Sequence, residues 1–292
     1  MPVNKIAAVA RLTRIEHSIM LVIAVIAAEL ISGQLPVLPI LAASIVTPIF
    51  ISMGSFAIND YFDVAADKAN KRFDRPIVSG AIKRKEAFYI AAACFIIGVA
   101  ASIFINPAAF IIALVFAVLA IMYSYRLKDM LLIGNIYIAF SMVIPFIYGN
   151  YVVSSALSTD IIFVSVIIFL AGLAREIHGM VRDYSGDSAA RKTKNLVYHV
   201  GIHRASQFAF TLYIEAVLVS IYLFFFYPPF AYNLVYIVPI AVTDAMLCYV
   251  AVGHLLQKKS KGFFSMSRNV SLAAMALALI AFLAAAAFYV AI

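Results

Sequence analysis

The sequence predicts an all-α integral membrane protein, a bundle of nine transmembrane helices with a cytoplasmic-side polar cap and a central cavity. Three observations predict it. Of the 292 residues, 65% are hydrophobic and 12% are charged, a balance outside the range of soluble domains. The apolar residues gather into nine runs, most of them long enough to cross about 30 Å of hydrocarbon at about 1.5 Å per helical residue. All 22 lysines and arginines lie in the N-terminal arm or in the segments after the second, fourth, sixth and eighth runs.

In chain order the runs are 15–34, 37–58, 86–105, 107–124, 130–152, 160–177, 205–227, 230–254 and 269–291, of which 107–124 is short. Each is expected to be helical, because lipid offers the backbone no water to bond with, and the alternation of a β-barrel is absent. Ahead of them, residues 5–14 suit a short interfacial helix and a solvated coil equally. No small-residue cleavage site follows a short apolar core, so span one is expected to be retained. Pro48, Pro145 and Pro239 fall inside runs and are expected to kink them and open a cavity.

Basic residues are retained on the cytoplasmic side, so the N-terminus should face the cytoplasm of a multi-pass cell-membrane protein, with the C-terminus outside. The turns at 33–36, 106–107, 149–160 and 227–233 should then lie outside. Trp is absent, which leaves Tyr148, Tyr151, Tyr227 and Tyr232 as the expected outer aromatic belt. The formal charge of +8 is taken up by topology and one polar face, so nucleic acid is not expected as a partner. Membrane lipids are, and no protein partner can be inferred. Cys94 and Cys248 sit inside apolar runs without metal-ligand spacing and are assigned no chemistry.

Two cytoplasmic connections carry the chemistry. The first continues run two as Asn59-Asp60-Tyr61-Phe62-Asp63-Val64-Ala65-Ala66-Asp67. On a helix Asn59, Asp63 and Asp67 share a stripe of roughly 80°, with Asp60 beside it. Like charges so spaced repel, and something cationic should complete the face. Oxygen donors without His or Cys favour Mg²⁺ or Mn²⁺. The second follows run six, where Glu176, Asp183 and Asp187 share a face if the helix outlasts Ser185-Gly186. Matched positions four spans apart suggest halves 1–129 and 130–257 plus a ninth helix, 269–291, within a single domain 1–292. Such halves would bring both acidic ends over one cavity. Carboxylates mixed with Lys and Arg read as a site for two metal ions and a diphosphate.

The pattern Asn59-xxx-Asp63-xxx-Asp67, the later Asp183-xxx-Asp187, and Tyr123-Ser-Tyr-Arg-Leu-Lys128 after span four resemble the UbiA superfamily of intramembrane prenyltransferases. The resemblance extends over nearly the whole chain, including Arg75-Pro76-Ile-Val-Ser-Gly80. It implies Mg²⁺-dependent transfer of a polyprenyl group, geranylgeranyl by best match, from its diphosphate to a lipophilic acceptor. By the same resemblance Asn59, Asp63 and Asp67 hold one metal ion, and Asp183 and Asp187 hold the other, with Mn²⁺ as a substitute for Mg²⁺. Lys128 contacts the diphosphate together with Tyr123 and Arg72, and Asp60 is an added acid at the substrate. Arg14-xx-His17-Ser-Ile-Met20 and Arg175-Glu176-Ile177 look most like the archaeal branch that prenylates geranylgeranylglyceryl phosphate. The Arg191-Lys-Thr-Lys-Asn195 segment departs from that branch and keeps aromatic quinone precursors open as acceptors.

His17, at the mouth of span one, suits an acceptor contact and a headgroup contact equally. His178 and His254 read as interfacial polar residues. Glu215 and Asp244 lie roughly 15 Å deep along their spans. As buried acids they raise a rival reading, a proton-coupled transporter.

Overall fold

The computed structural model describes residues 5–186, 195–256 and 261–291. Ten α-helices account for most of it: α1 Lys5–Thr13, α2 Ser18–Ile31, α3 Leu38–Ala69, α4 Arg84–Ile103, α5 Pro107–Tyr125, α6 Ile133–Val153, α7 Thr159–Gly186, α8 Leu196–Phe226, α9 Leu234–Leu255 and α10 Lys261–Ala291. Eight of them, α3 to α10, are long and apolar enough to cross a membrane. The short run at 107–124 is among these, as α5.

The sequence-based count of nine meets a physical limit at the first run. Expected over 15–34, it folds as one 3₁₀ turn, Ile15–His17, and the 14-residue α2. At about 1.5 Å per residue α2 is only about 21 Å long. It is nonetheless central, packing against both α6 and α10. Gly149 of α6 permits the approach, since a Cβ there would stand 2.7 Å from Val25 O and 2.8 Å from Ala28 Cβ of α2. Small residues let membrane helices meet backbone to backbone in this way.

Residues 5–13, undecided between helix and coil, form α1, which buries Ala8 and Leu12 against α3. The chain then reverses at Arg14, in the left-handed region with φ 46°. Helix α3 runs unbroken through the first acidic segment for 32 residues, about 48 Å at the α-helical rise. It therefore overshoots the hydrocarbon by several turns. Asn106 and Asn233 start α5 and α9 by accepting the Ala109 and Val235 N–H groups on their side chains, as N-caps do. Pro48, Pro145 and Pro239 all lie within helices. In α8 the break is instead at Gly201 (φ 81°, ψ 162°), just ahead of the apolar run.

Short connections make successive helices antiparallel, so the C-terminal ends of α3, α5, α7 and α9 reach one face, the basic one. Apolar packing forms two principal groups: α1, α3, α4 and α5 in one, and α2 with α6 to α10 in the other. Inside the second group lies an apolar cavity of about 180 Å³, lined among others by Met20, Pro145, Phe146, Ala216 and Phe282. One belt tyrosine is a correction: Tyr148 is buried against Val25 and Val152 rather than at the outer boundary. Its position on α6 turns it inward beside Gly149. Tyr232 is exposed as expected.

Candidate functional site

The overshoot of α3 is what builds the first cluster. Its uninterrupted helix sets Asn59, Asp63 and Asp67 one turn apart on a half-buried face. Asn59 donates its Nδ2 hydrogen to Asp63 Oδ2 at 2.9 Å. Lys128, brought over by the 3₁₀ turn Leu127–Asp129 after α5, donates to Asp63 Oδ1. Asp67 Oδ2 lies 3.8 Å from Arg75 Nε, an ion pair without a hydrogen bond.

Asp60 faces differently. Its side chain is 1% exposed, and its Oδ1 accepts from Arg14 Nη2 and Arg75 Nη1, both at 2.9 Å. That double ion pair ties the reversal after α1 and the loop after α3 to the helix bearing the other acids. Arg72 is turned outward, donating from Nε and Nη2 to Asp74 at 3.0 and 2.9 Å in an exposed fork. The fork holds the Asp74 carboxyl below the usual carboxylate range.

The two clusters meet through the start of α6. Gly134 sits against the Lys128 backbone, where a Cβ would be 3.0 Å from its Cα and O. The next residue, Asn135, lines one cavity together with Glu176 of the second cluster. Tyr123 stacks on Tyr137 of α6 at 4.4 Å and lies within electrostatic range of both Asp63 and Glu176. Helix α7 persists through Ser185 to Gly186, so Glu176 and Asp183 share a face at i,i+7. Arg175 Nη1 donates to Glu176 Oε1 at 3.3 Å and Arg182 Nε to Asp183 Oδ1 at 2.8 Å. Asp187 lies outside the described residues.

The donor chemistry fits a hard divalent cation. Asn59, Asp63 and Asp67 offer oxygen, and no group of three His, Cys, Asp or Glu forms a cage among the described residues. That is the demand of Mg²⁺, which takes one or two carboxylates and completes its shell with water and phosphate oxygens. The cations already paired with these acids, Lys128, Arg75 and Arg182, stand where an anionic group arriving with the metal would meet them.

The remaining expectations divide. His17 is exposed and contacts Phe56 edge-on at 5.3 Å, and Arg14 Cζ lies over the same ring, 4.6 Å from its centroid. Phe56 is one helical turn before Asn59, so His17 stands at the rim of the first cluster. The two mid-span acids do not form a pair. Asp244 borders the apolar cavity and accepts from Ser220 Oγ at 2.7 Å. Glu215 is exposed on the outside of the bundle, which corrects its reading as a buried acid and leaves no relay between the two. His178 and His254 are also corrected: they are 5% and 4% exposed and stack face to face at 3.7 Å. Nothing in their sequence separation of 76 residues announces that contact, which links α7 to α9 although α7 packs mainly on α6 and α8, and α9 on α8 and α10.

The UbiA prenyltransferase family profile matches residues 20–271. A digeranylgeranylglyceryl phosphate synthase of Archaeoglobus fulgidus is 36% identical over 240 residues, 82% of this chain and 81% of the relative. A solved structure described as giving structural and mechanistic insight into digeranylgeranylglyceryl phosphate synthase in membranes superposes with a TM-score of 0.79. It is 27% identical and covers 97% of this chain and 99% of its own. A UbiA homolog from Archaeoglobus fulgidus bound to GPP and Mg²⁺ shares the fold at a TM-score of 0.66 and 20% identity, covering 98% of this chain and all of its own.

Proposed function

Because this chain belongs to the UbiA prenyltransferase family, we propose that it transfers a geranylgeranyl group from its diphosphate to geranylgeranylglyceryl phosphate. The observation that carries the proposal is the placement of both acid clusters about the start of α6, where Lys128 pairs with Asp63, Gly134 packs on the Lys128 backbone and Asn135 lines a cavity with Glu176. The acceptor follows the names of the relatives, and Mg²⁺ the ligand of the UbiA homolog.

Asn59, Asp63 and Asp67 would hold one metal ion, and Asp183 with Asp187 a second. Bound Mg²⁺ would supply charge neutralisation on the diphosphate as its C–O bond breaks. Lys128, held at Asp63, adds a preorganised ammonium to the same leaving group. Asp60 fixes Arg14 and Arg75 rather than touching substrate. Arg75 in turn stands beside Asp67. Part of the prenyl chain would occupy the apolar cavity between α2 and α6 to α10, and apolar surroundings of this kind keep water from the allylic carbon while it carries positive charge. The acceptor hydroxyl oxygen bonds to that carbon, the C–O bond to diphosphate breaks, and the hydroxyl proton passes to diphosphate or solvent.

In the same reading the basic face is cytoplasmic, following the distribution of Lys and Arg. Helix α2 with its preceding 3₁₀ turn supplies a ninth, short crossing: about 21 Å of α-helix and about 6 Å of 3₁₀ turn, near the hydrocarbon thickness.

The test incubates purified full-length protein with radiolabelled geranylgeranyl diphosphate, Mg²⁺ and a panel of acceptors. Label should enter geranylgeranylglyceryl phosphate with equimolar diphosphate release. Label entering aromatic quinone precursors instead would refute the acceptor; no release with any acceptor would refute the reaction class.

A further inference from the structure

At the second acid cluster, between α7, α9 and α10, lies a polar cavity of about 200 Å³ that Glu176 and Asp183 line on one side. It is built around the stacked imidazoles of His178 and His254. His254 Nε2 is 2.8 Å from Ser267 Oγ of α10. Both ring nitrogens of His178, Nδ1 of His254 and Nε of Arg175 are buried without a hydrogen-bond partner among the described residues. Buried nitrogens in that condition are costly and call for a bound partner. Three guanidinium groups, those of Arg175, Arg182 and Arg268, line the same space. The two carboxylates present are already paired, Glu176 with Arg175 and Asp183 with Arg182, so Arg268 and the imidazoles are left to face an incoming group.

Donors outnumber acceptors here, and they converge from three helices. A tetrahedral oxyanion has the matching geometry: several acceptor oxygens, able to take guanidinium, imidazole and hydroxyl hydrogens together. A metal ion does not, because face-stacked rings direct their lone pairs in parallel rather than toward one point. The cavity also reaches the second acid cluster and the start of α6, since Glu176, Asp183 and Asn135 line it.

We propose that this cavity is a phosphate-monoester subsite that seats the headgroup of the acceptor lipid, with Arg268, Arg182, His178, His254 and Ser267 as its donors. The inference rests on the prenyl-transfer reading with a phosphorylated acceptor. Donors on α9 and α10, helices that do not pack on α3, hold the phosphate on the far side of Asp183 from Lys128 and the α3 acids, next to the metal-bound diphosphate rather than in its place. The acceptor hydroxyl is then presented from the opposite side of the junction at α6.

Binding is measured on the full chain in EDTA, without donor, using labelled geranylgeranylglyceryl phosphate and its dephosphorylated alcohol. Wild type should bind the phosphate form at least about 10-fold more tightly, the scale of one charge-assisted contact. Arg268→Gln, at an exposed position that leaves packing alone, should remove most of that preference without changing affinity for the alcohol. His254→Phe, which keeps a stacking ring, should do the same. Equal affinity for the two lipids, or an Arg268→Gln protein that retains the preference, would overturn the subsite. Displacement by diacyl phosphatidate as effective as by the acceptor itself would overturn its assignment to the acceptor, leaving a general headgroup site. In turnover assays Arg268→Gln should raise KM for the acceptor and leave KM for the donor; a rise confined to the donor would assign the cavity to diphosphate and overturn the proposal. A protein that binds the phosphate form selectively yet transfers no prenyl group would instead refute the proposed reaction and leave the subsite standing.

Discussion

Asp60→Asn separates an anchoring carboxylate from a substrate-binding one. In the sequence Asp60 stands beside the metal-facing stripe and reads as an added acid at the substrate; in the fold it is 1% exposed and receives two guanidinium hydrogen bonds at 2.9 Å. The amide replaces a buried anion with a neutral group, leaving Arg14 and Arg75, 23% and 19% exposed, without the carboxylate they share, and Arg75 with only Asp67 at 3.8 Å. Removing one member of a buried ion pair costs about 3–5 kcal/mol. Each bond to the charged group accounts for about 1.5–3 kcal/mol, so the two together match that range. At about 2 °C per kcal/mol for a chain of this size, the apparent melting temperature should fall by about 6–10 °C. The assay is thermal unfolding in detergent, alongside diphosphate release at a temperature where both proteins are folded. Melting should drop while KM for the prenyl diphosphate changes little. An unchanged melting temperature with a large rise in donor KM would refute the reasoning, because Asp60 would then be contacting substrate.

Asp63→Asn and Asp183→Asn should behave oppositely, each nearly abolishing diphosphate release while melting stays within a few degrees of wild type; normal turnover in both excludes the two-cluster site. Stripping divalent ions with EDTA should stop turnover, and Mg²⁺ or Mn²⁺ should restore it; activity that persists in EDTA counts against hard-cation chemistry at Asn59, Asp63 and Asp67. Gly149→Ala forces a Cβ to 2.7 Å from Val25 O and should cost about 1–3 kcal/mol by overpacking α2 against α6, read as a lower melting temperature. Ala216→Phe places a ring in the cavity of about 180 Å³ and should raise KM for a 20-carbon prenyl diphosphate more than for a 10-carbon one; equal effects would move the prenyl chain elsewhere.

The sequence by itself determined the helical membrane bundle, its eight long apolar helices and the single stripe shared by Asn59, Asp63 and Asp67. These are local properties: hydropathy along a run, the side on which Lys and Arg collect, and the 3.6-residue period that stacks Asn59, Asp63 and Asp67. It also placed Lys128 and Tyr123 in one short segment, though the pairing of Lys128 with Asp63 and the stacking of Tyr123 on Tyr137 depend on α6 starting against the Lys128 backbone. Only the tertiary structure decided which polar residues face which neighbours. Asp60 and Asp63 are three positions apart on one helix, yet one is locked under Arg14 and Arg75 and the other opens toward Lys128. Glu215 and Asp244 are alike as mid-span acids, but α8 turns the first outward while α9 turns the second to Ser220. The imidazoles of His178 and His254 stack across a local contact between α7 and α9, both of which pack along α8. Helical periodicity defines faces on a single element. Which face meets which partner is set by packing among residues far apart in the chain, through close approaches such as Gly149 on Val25.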